Sequence, residues 1–398
     1  MIKKFTYKHT TYACYLAYIT SAVINNFTPL LFVIFQKEYG LSLDKLAVLV
    51  TLNFSAQFFV DFFGAKYVDK IGYRKSLILG LVMAGVGLCC LGTLPSIFPP
   101  FVGLVISVIC YAMGSGLLEV MVSPTIEALP SDSKAGAMSL LHSFYCWGSM
   151  LVIIVSTIYF NLFDVKNWQQ LCFLWAIIPA FTILLFLKVP IVPFGGGHES
   201  ASVREIFSSS VFRIFAVLML CAGASELAMS QWASLFAETG LGVSKTTGDL
   251  LGPCMFAAAM GIFRALYGKY GKKINLYSVL LISSIICIFG YAVAVFAPNP
   301  IVSLIGCGLC GFGVAIMWPG TLSLAAKHCA VGGTAIFGFL AMSGDIGCSV
   351  GPAVVAVVSD NFMIFNSPLK AGLLCAIIFP VILMIGVVWL KKKVGMSE

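Results

Sequence analysis

Three carboxylates stand where water is scarce. Glu119, Glu226 and Asp345 each fall in the middle of a long apolar run of this 398-residue chain. An ionised side chain at such a depth costs at least about 2.5 kcal/mol on insertion scales. Residues that expensive are expected to carry function, and the chemistry open to them is uptake and release of a proton. Glu119 follows Tyr111 and Ser115 and precedes Ser123 and Pro124, and at helical spacing Tyr111, Ser115, Glu119 and Ser123 share one face. A polar stripe of that kind is expected to border a cavity. Glu226 lies in Ala222-Gly223-Ala224-Ser225-Glu226, with Ser230 one turn on, and its small neighbours suit close packing or local unwinding. Asp345 lies in Ser343-Gly344-Asp345-Ile346-Gly347, where the backbone can bend; a structural contact and a functional role weigh equally there. No lysine or arginine is expected to be buried near any of the three in the sequence.

Uncharged polar groups recur at similar depth. Asn25 and Asn26 interrupt the first apolar run, with Pro29 one turn on, and Asn53 and Gln57 stand one turn apart in the second. Amides offer donors and acceptors without charge, which suits sugar hydroxyls, with helix-to-helix hydrogen bonding as the plainer alternative. His142, followed by Tyr145 and Trp147, is expected to meet a hydroxylated ligand or an interior partner. Trp232 and Trp318 offer faces for stacking on a sugar ring, with packing or lipid contact as the alternative. No HExxH, P-loop or GxSxG context occurs, so neither ATP drive nor hydrolase chemistry is expected, and the chain does not read as an enzyme. The fourteen cysteines lack metal-ligand spacing. No metal and no cofactor is expected beyond a coupling ion, the proton or in its place sodium.

Helices spanning a bilayer must position these groups. Hydrophobic residues make up 60% of the chain and charged residues 10%, against roughly 45–50% and about 25% in soluble proteins. Apolar stretches of about twenty residues recur throughout, enough to cross a hydrocarbon core as helices that close their own backbone hydrogen bonds. The expectation is an all-α integral membrane protein of twelve transmembrane helices. They are placed near 10–35, 45–65, 76–95, 101–123, 136–160, 169–188, 209–234, 247–268, 275–296, 300–322, 332–357 and 368–390. The first run is too long for a signal-peptide core and reads as a retained helix. With these spans, 19 of the 24 lysines and arginines fall on one side. That asymmetry predicts a cytoplasmic (inner) membrane protein with both termini cytoplasmic. The basic residues are dispersed beside apolar ends, so the formal charge of +8 points to the lipid bilayer and not to nucleic acid.

The longest polar interruption, near residues 190–210, falls at the middle of the chain and contains Gly195-Gly196-Gly197. It divides an N-terminal six-helix half, 1–190, from a C-terminal one, 210–398, through a cytoplasmic linker at 191–209. The halves echo each other: Pro124, Gly136 and Gly148 recur as Pro319, Gly332 and Gly344 at offsets of 195 and 196, as duplicated carrier folds predict. Between spans two and three, Gly64-Ala65-Lys66-Tyr67-Val68-Asp69-Lys70-Ile71-Gly72-Tyr73-Arg74-Lys75 resembles the signature loop of the major facilitator superfamily. In that loop Asp69, Arg74 and Lys75 would form a charge latch that gates opening.

Asn25-Asn26, Gly116-Leu117-Leu118-Glu119, Leu141-His142-Ser143-Phe144-Tyr145-Cys146-Trp147-Gly148 and Met317-Trp318-Pro319-Gly320-Thr321 together resemble the fucose/galactose/glucose:proton symporter family of that superfamily. The resemblance implies uptake of a neutral sugar coupled to a proton, with Glu119 matching the protonated glutamate of span four. His142 and Tyr145 match positions of polar contact, where the fucose carrier has amides. A first-span acid of that carrier falls near Pro29, where this chain has none, which leaves Glu226 as candidate for a second coupling group. The expected molecule is a monomeric secondary carrier with one central site, surrounded by Asn25, Asn26, Asn53, Gln57, His142, Tyr145, Trp232 and Trp318. The alternatives are a proton-coupled exporter of drugs or metabolites, which would use the same carboxylates in antiport, and a sodium-coupled sugar symporter.

Overall fold

The computed structural model describes residues 5–41, 43–194, 202–233, 236–237, 241–243, 248, 250–329, 333–362 and 367–395. Helices follow one another as α1 (Tyr7–Leu30), α2 (Phe32–Tyr39), α3 (Leu43–Ile71), α4 (Tyr73–Ile97), α5 (Pro100–Ala128), α6 (Lys134–Phe163) and α7 (Trp168–Phe186). The series continues with α8 (Val203–Ser208), α9 (Ser210–Ser230), α10 (Met255–Tyr270), α11 (Leu276–Phe296), α12 (Pro300–Val314), α13 (Met317–His328), α14 (Ala335–Asn361), α15 (Pro368–Ala376) and α16 (Ile378–Gly395). A π-helical turn, Leu250–Cys254, leads into α10.

Among the described residues, ten helical stretches are long and apolar enough to cross a membrane. With α1 and α3, which at 24 and 29 residues also have the length, the crossings among the described residues number twelve, as expected for this all-α membrane protein. α1 falls short on hydropathy because it holds Asn25 and Asn26, whereas α3 counts as apolar over Val48–Gly64 in spite of Asn53, Gln57 and Asp61. Large apolar side chains such as Phe59, Ile177, Phe289 and Ile385 point outward, as hydrocarbon solvent allows.

Prolines mark many of the ends. Pro100, Pro300 and Pro368 open their helices, where a missing N–H costs nothing. Pro29 lies one residue before α1 stops, and α2 resumes after a single turn residue. Within the expected linker, Ser202 caps α8: its hydroxyl accepts from the Glu205 amide at 3.3 Å while the Glu205 carboxylate accepts from the Ser202 amide at 2.8 Å. The glycine run Gly195–Gly197 lies outside the described residues, as does Gly332.

Two compact units emerge from the packing. The first comprises Met1–Pro130, Phe144–Ser200 and Gly333–Gly338, the second Ser131–Ser143, Ala201–Gly332 and Phe339–Glu398. In the first unit α4 lies directly on α5: a Cβ added at Gly87 would fall 2.4 Å from the Tyr111 nitrogen, and one at Gly114 would fall 2.6 Å from that of Ala84. In the second, α11 lies as close to α12, where a Cβ at Gly306 would fall 2.4 Å from the Ala294 nitrogen. Without a hydrophobic drive between helices in lipid, such small-residue contacts are what holds them together.

The internal repeat has a packing counterpart. A Cβ at Gly148 of α6 would meet Ala22 of α1 at 2.7 Å, and a Cβ at Gly223 of α9 would meet the Gly344 carbonyl of α14 at 2.4 Å. In each unit the first long helix is thus approached by the fifth at a repeated glycine. The bend expected around Asp345 is absent: α14 runs as one helix from Ala335 to Asn361. Its glycines instead admit α9, since a Cβ at Gly347 would sit 2.0 Å from the Leu220 carbonyl oxygen. Gly347→Ala is therefore expected to cost on the order of 1–3 kcal/mol through overpacking, measured as a lowered melting temperature in detergent, with Ala222→Ser as a tolerated control.

Candidate functional site

In the first unit, helices α1, α3 and α6 bring four of the sequence-selected residues into one hydrogen-bonded group. The Asn25 side-chain oxygen accepts from Asn53 Nδ2 and from Gln57 Nε2, each at 3.1 Å, while Asn25 Nδ2 donates to the Tyr145 hydroxyl at 3.4 Å. Asn26 meets α6 one turn further on, donating to Ser149 Oγ at 3.1 Å and to the Ala22 carbonyl at 2.9 Å. Asn25 and Asn53 border a cleft shared with Thr28, Phe32, Phe54 and Tyr111. Asn25 and Tyr145 stay half-buried, whereas Gln57 is 1% exposed. Amides bonded to one another hold their donors in fixed directions without carrying charge.

The polar stripe of α5 faces α1. Tyr111 bonds Thr28 Oγ1 at 2.7 Å and Ser123 bonds the Tyr18 hydroxyl at 2.9 Å. Glu119 lies on the same face two turns from Tyr111 and one from Ser123, and is half-buried. The stripe continues one turn past the expected end of the span to Glu127, which is buried. On α3 the Asn53–Gln57 face continues by the same spacing to Asp61, fully buried. Neither acid is among the three expected from the sequence, although i, i+4 spacing from Gln57 and Ser123 would have found both.

The second unit holds Glu226, His142, Trp232 and Trp318, and a cation that spacing in the sequence does not reveal. Arg264 of α10 is 3% exposed and its Nη2 stands 3.3 Å from Glu226 Oε2. Its Nε donates to the Ala315 carbonyl at 2.8 Å and its Nη1 to the His142 carbonyl at 3.3 Å. The Ala315 carbonyl is available because Pro319, four residues on, has no N–H to give it. The chain there breaks between α12 and α13. Ser139 Oγ in turn donates to the Arg264 carbonyl at 2.8 Å. Arg264 is therefore an interior residue and not one of the basic-side charges, and Glu226 has a cationic partner after all. The two are 38 residues apart in sequence and meet because α9 and α10 both pack against α12.

Around this pair α9 runs unbroken from Ser210 to Ser230, so the small residues beside Glu226 serve packing. His142 is buried and enters the cluster through its backbone. The Trp232 indole donates to the Pro352 carbonyl at 3.2 Å. The ring of Trp318 fills the space over Gly344, 2.2 Å from where a Cβ would stand. Asp345 is buried on α14. At the signature loop, Arg74 donates to the carbonyls of Phe186 and, at 2.8 Å, Val189, a cation placed on the negative end of α7. Asp69 is half-buried and Lys75 exposed. Among the described residues no cluster of histidine, cysteine and acids is arranged to hold a metal ion.

Several known proteins share this architecture. FucP, an E. coli fucose:proton symporter, solved in the outward conformation, is 16% identical, with a TM-score of 0.81 over 96% of this chain and 98% of that one. The proton:xylose symporter XylE, bound to 6-bromo-6-deoxy-D-glucose, is 14% identical, with a TM-score of 0.83 over 97% of this chain and 95% of that one. The human organic anion transporter MFSD10 is 12% identical, with a TM-score of 0.72 over 96% of this chain and 99% of that one. At these identities the likeness is one of fold. In sequence, the putative transporter svop-1 of Caenorhabditis elegans is 26% identical over 137 residues, 34% of this chain, and the match spans a quarter of that protein's length. The model of the Major Facilitator Superfamily matches residues 14–352, so the chain belongs to the major facilitator superfamily.

Proposed function

We propose that this protein is a secondary transporter that takes up a neutral sugar together with a proton by alternating access, in an inner membrane with both termini cytoplasmic. The observation that carries the reading is the uncharged group of Asn25, Asn53, Gln57 and Tyr145, supplied by three helices and bordering a cleft. Fixed amides and a phenol match hydroxyls, which both donate and accept, better than they match an ion or an apolar drug. Glu119, one face away on α5, is the proton carrier in this reading, and Glu226 is the second coupling group, answering to Arg264. Asp69, Arg74 and Lys75 gate the basic side. The sugar-transporting neighbours in fold lend the same direction.

Proteoliposomes with a trapped pH dye test it. Addition of the transported hexose is expected to acidify the lumen as sugar enters, and Asn25→Ala is expected to weaken the apparent affinity about tenfold or more, since it strips two acceptor bonds and a donor from one group. Alkalinisation on entry would mark an exchanger, and uptake that follows sodium with no pH change would move the coupling ion from proton to sodium.

A further inference from the structure

The basic end of the second unit carries a groove that the proposed transport does not use. There α9 begins and α16 ends side by side, and between them runs a groove of about 300 Å³. Val217, Leu218, Ile382, Ile385 and Trp389 form its walls, and it extends from Ser210 to Leu218, about 12 Å along the axis at 1.5 Å per residue. Val217, Ile385 and Trp389 are exposed. Its floor is shallow because Gly386 stands against Leu218: a Cβ there would come 2.7 Å from Leu218 Cδ2. Such a slot in the hydrocarbon zone has the form of a seat for an acyl chain.

One end of the slot is charged. Arg213 lines the groove, and its Nη1 donates to the carbonyls of Phe207 and Ser208, 3.0 Å each. That leaves the rest of its donor fork for another acceptor. Lys393 reaches across from α16 to the Ser210 hydroxyl and lies 5.5 Å from the centre of the Trp389 ring. Lys391 and Lys392 are exposed one turn or less away. The acid of the neighbouring short helix, Glu205, is turned to Ser202, whose amide and then hydroxyl hold its carboxyl below the usual range. Two cations from different helices, the amide end of α9 and an interfacial tryptophan therefore converge on one mouth, while the body of the groove is apolar.

We propose that this groove binds an anionic glycerophospholipid, with its phosphate between Arg213 and Lys393 and one acyl chain along α9 and α16. Charge complementarity selects the lipid class: a zwitterionic headgroup brings a third cation to a mouth that already holds two, while basic pockets between transmembrane helices favour anionic headgroups. A free phosphate would use the mouth and leave the slot empty.

Native mass spectrometry of the full chain in neutral detergent, with equal amounts of dioleoyl phosphatidylglycerol and dioleoyl phosphatidylcholine, tests the site. The expected result is retention of phosphatidylglycerol over phosphatidylcholine by a factor on the order of ten, reduced to near parity in R213Q/K393Q. Ile385→Trp, which fills the slot and alters no charge, is expected to lower phosphatidylglycerol retention while inorganic phosphate protects neither protein from thermal unfolding. Equal retention of the two lipids by the unaltered chain overturns the proposal, as does an unchanged preference in R213Q/K393Q. Should that double variant not fold, undiminished phosphatidylglycerol retention in Ile385→Trp overturns it alone, and thermal protection by inorganic phosphate would do the same.

Discussion

In proteoliposomes, Glu119→Gln is expected to abolish proton-driven accumulation of the substrate while leaving substrate counterflow within about twofold of the unaltered protein. Glutamine has nearly the shape of a protonated glutamate and the same capacity to donate and accept, so the packed face Tyr111–Ser115–Ser123 loses nothing in fit. What it loses is the proton. Counterflow exchanges labelled for unlabelled substrate with no net proton movement, and a permanently neutral side chain supports it. Accumulation requires the group to discharge on the far side. A pH difference of one unit is worth about 1.4 kcal/mol per proton, a factor of about ten in concentration. With two units imposed, the unaltered carrier should approach on the order of a hundredfold accumulation, and Glu119→Gln should stop at equal concentrations. Measurement of radiolabelled substrate inside and outside gives the ratio directly. Full concentrative uptake by the variant would remove Glu119 from the coupling and leave Asp61, Glu127 or Glu226 to carry it.

How far the molecule could be read from its sequence depends on the range of each interaction. Helix existence is a local matter in lipid: a segment must bury its backbone polar groups within itself, so about twenty apolar residues announce a crossing. α1, the crossing that falls short on hydropathy, contributes Asn25, which accepts from both Asn53 and Gln57 of α3, so the residue that blurs the hydropathy signal marks the site. Spacing within a helix was equally legible. Four-residue steps along α5 lead from Tyr111 to Glu127, and along α3 from Asn53 to Asp61. The repeat was legible because close helix contact admits only glycine or similarly small residues, and Gly148 and Gly344 stand at such contacts in both units.

What spacing could not convey is pairing between helices. Arg264 sits in Gly261-Ile262-Phe263-Arg264 near the end of an apolar run, where a snorkelling loop charge and an interior cation look alike. Only the packing of α9 and α10 on α12, which brings Glu226 within 3.3 Å, and the carbonyl released by Pro319 distinguish them. The glycines beside Asp345 are ambiguous in the same way. Flexibility and close packing both call for glycine, and the Leu220 carbonyl 2.0 Å from a Cβ at residue 347 decides for packing.

Arg264→Ala is expected to be the most damaging single substitution in the second unit. Three acceptors lose a donor at once: the Glu226 carboxylate and the carbonyls of Ala315 and His142. Removal of one partner from a buried ion pair costs about 3–5 kcal/mol, because the remaining charge is left without compensation. A buried acceptor left unmade adds about 1–3 kcal/mol. Arg264→Lys should recover only part of this, since one ammonium cannot reproduce a planar fork directed at three oxygens on three segments. The expected readout is a melting temperature lowered by on the order of ten degrees and a matching fall in monodisperse yield. The double variant R264A/E226Q separates the ion pair from the rest. With the carboxylate neutralised, about half or more of the lost stability should return, and the shortfall belongs to the Ala315 and His142 carbonyls. A double variant no more stable than R264A would mean that the pair contributes nothing and that Arg264 acts through the backbone carbonyls alone, as a clamp on the proline break between α12 and α13. In that event Glu226 would lose its claim to act in concert with Arg264, because the cation facing it would be one whose removal it does not register.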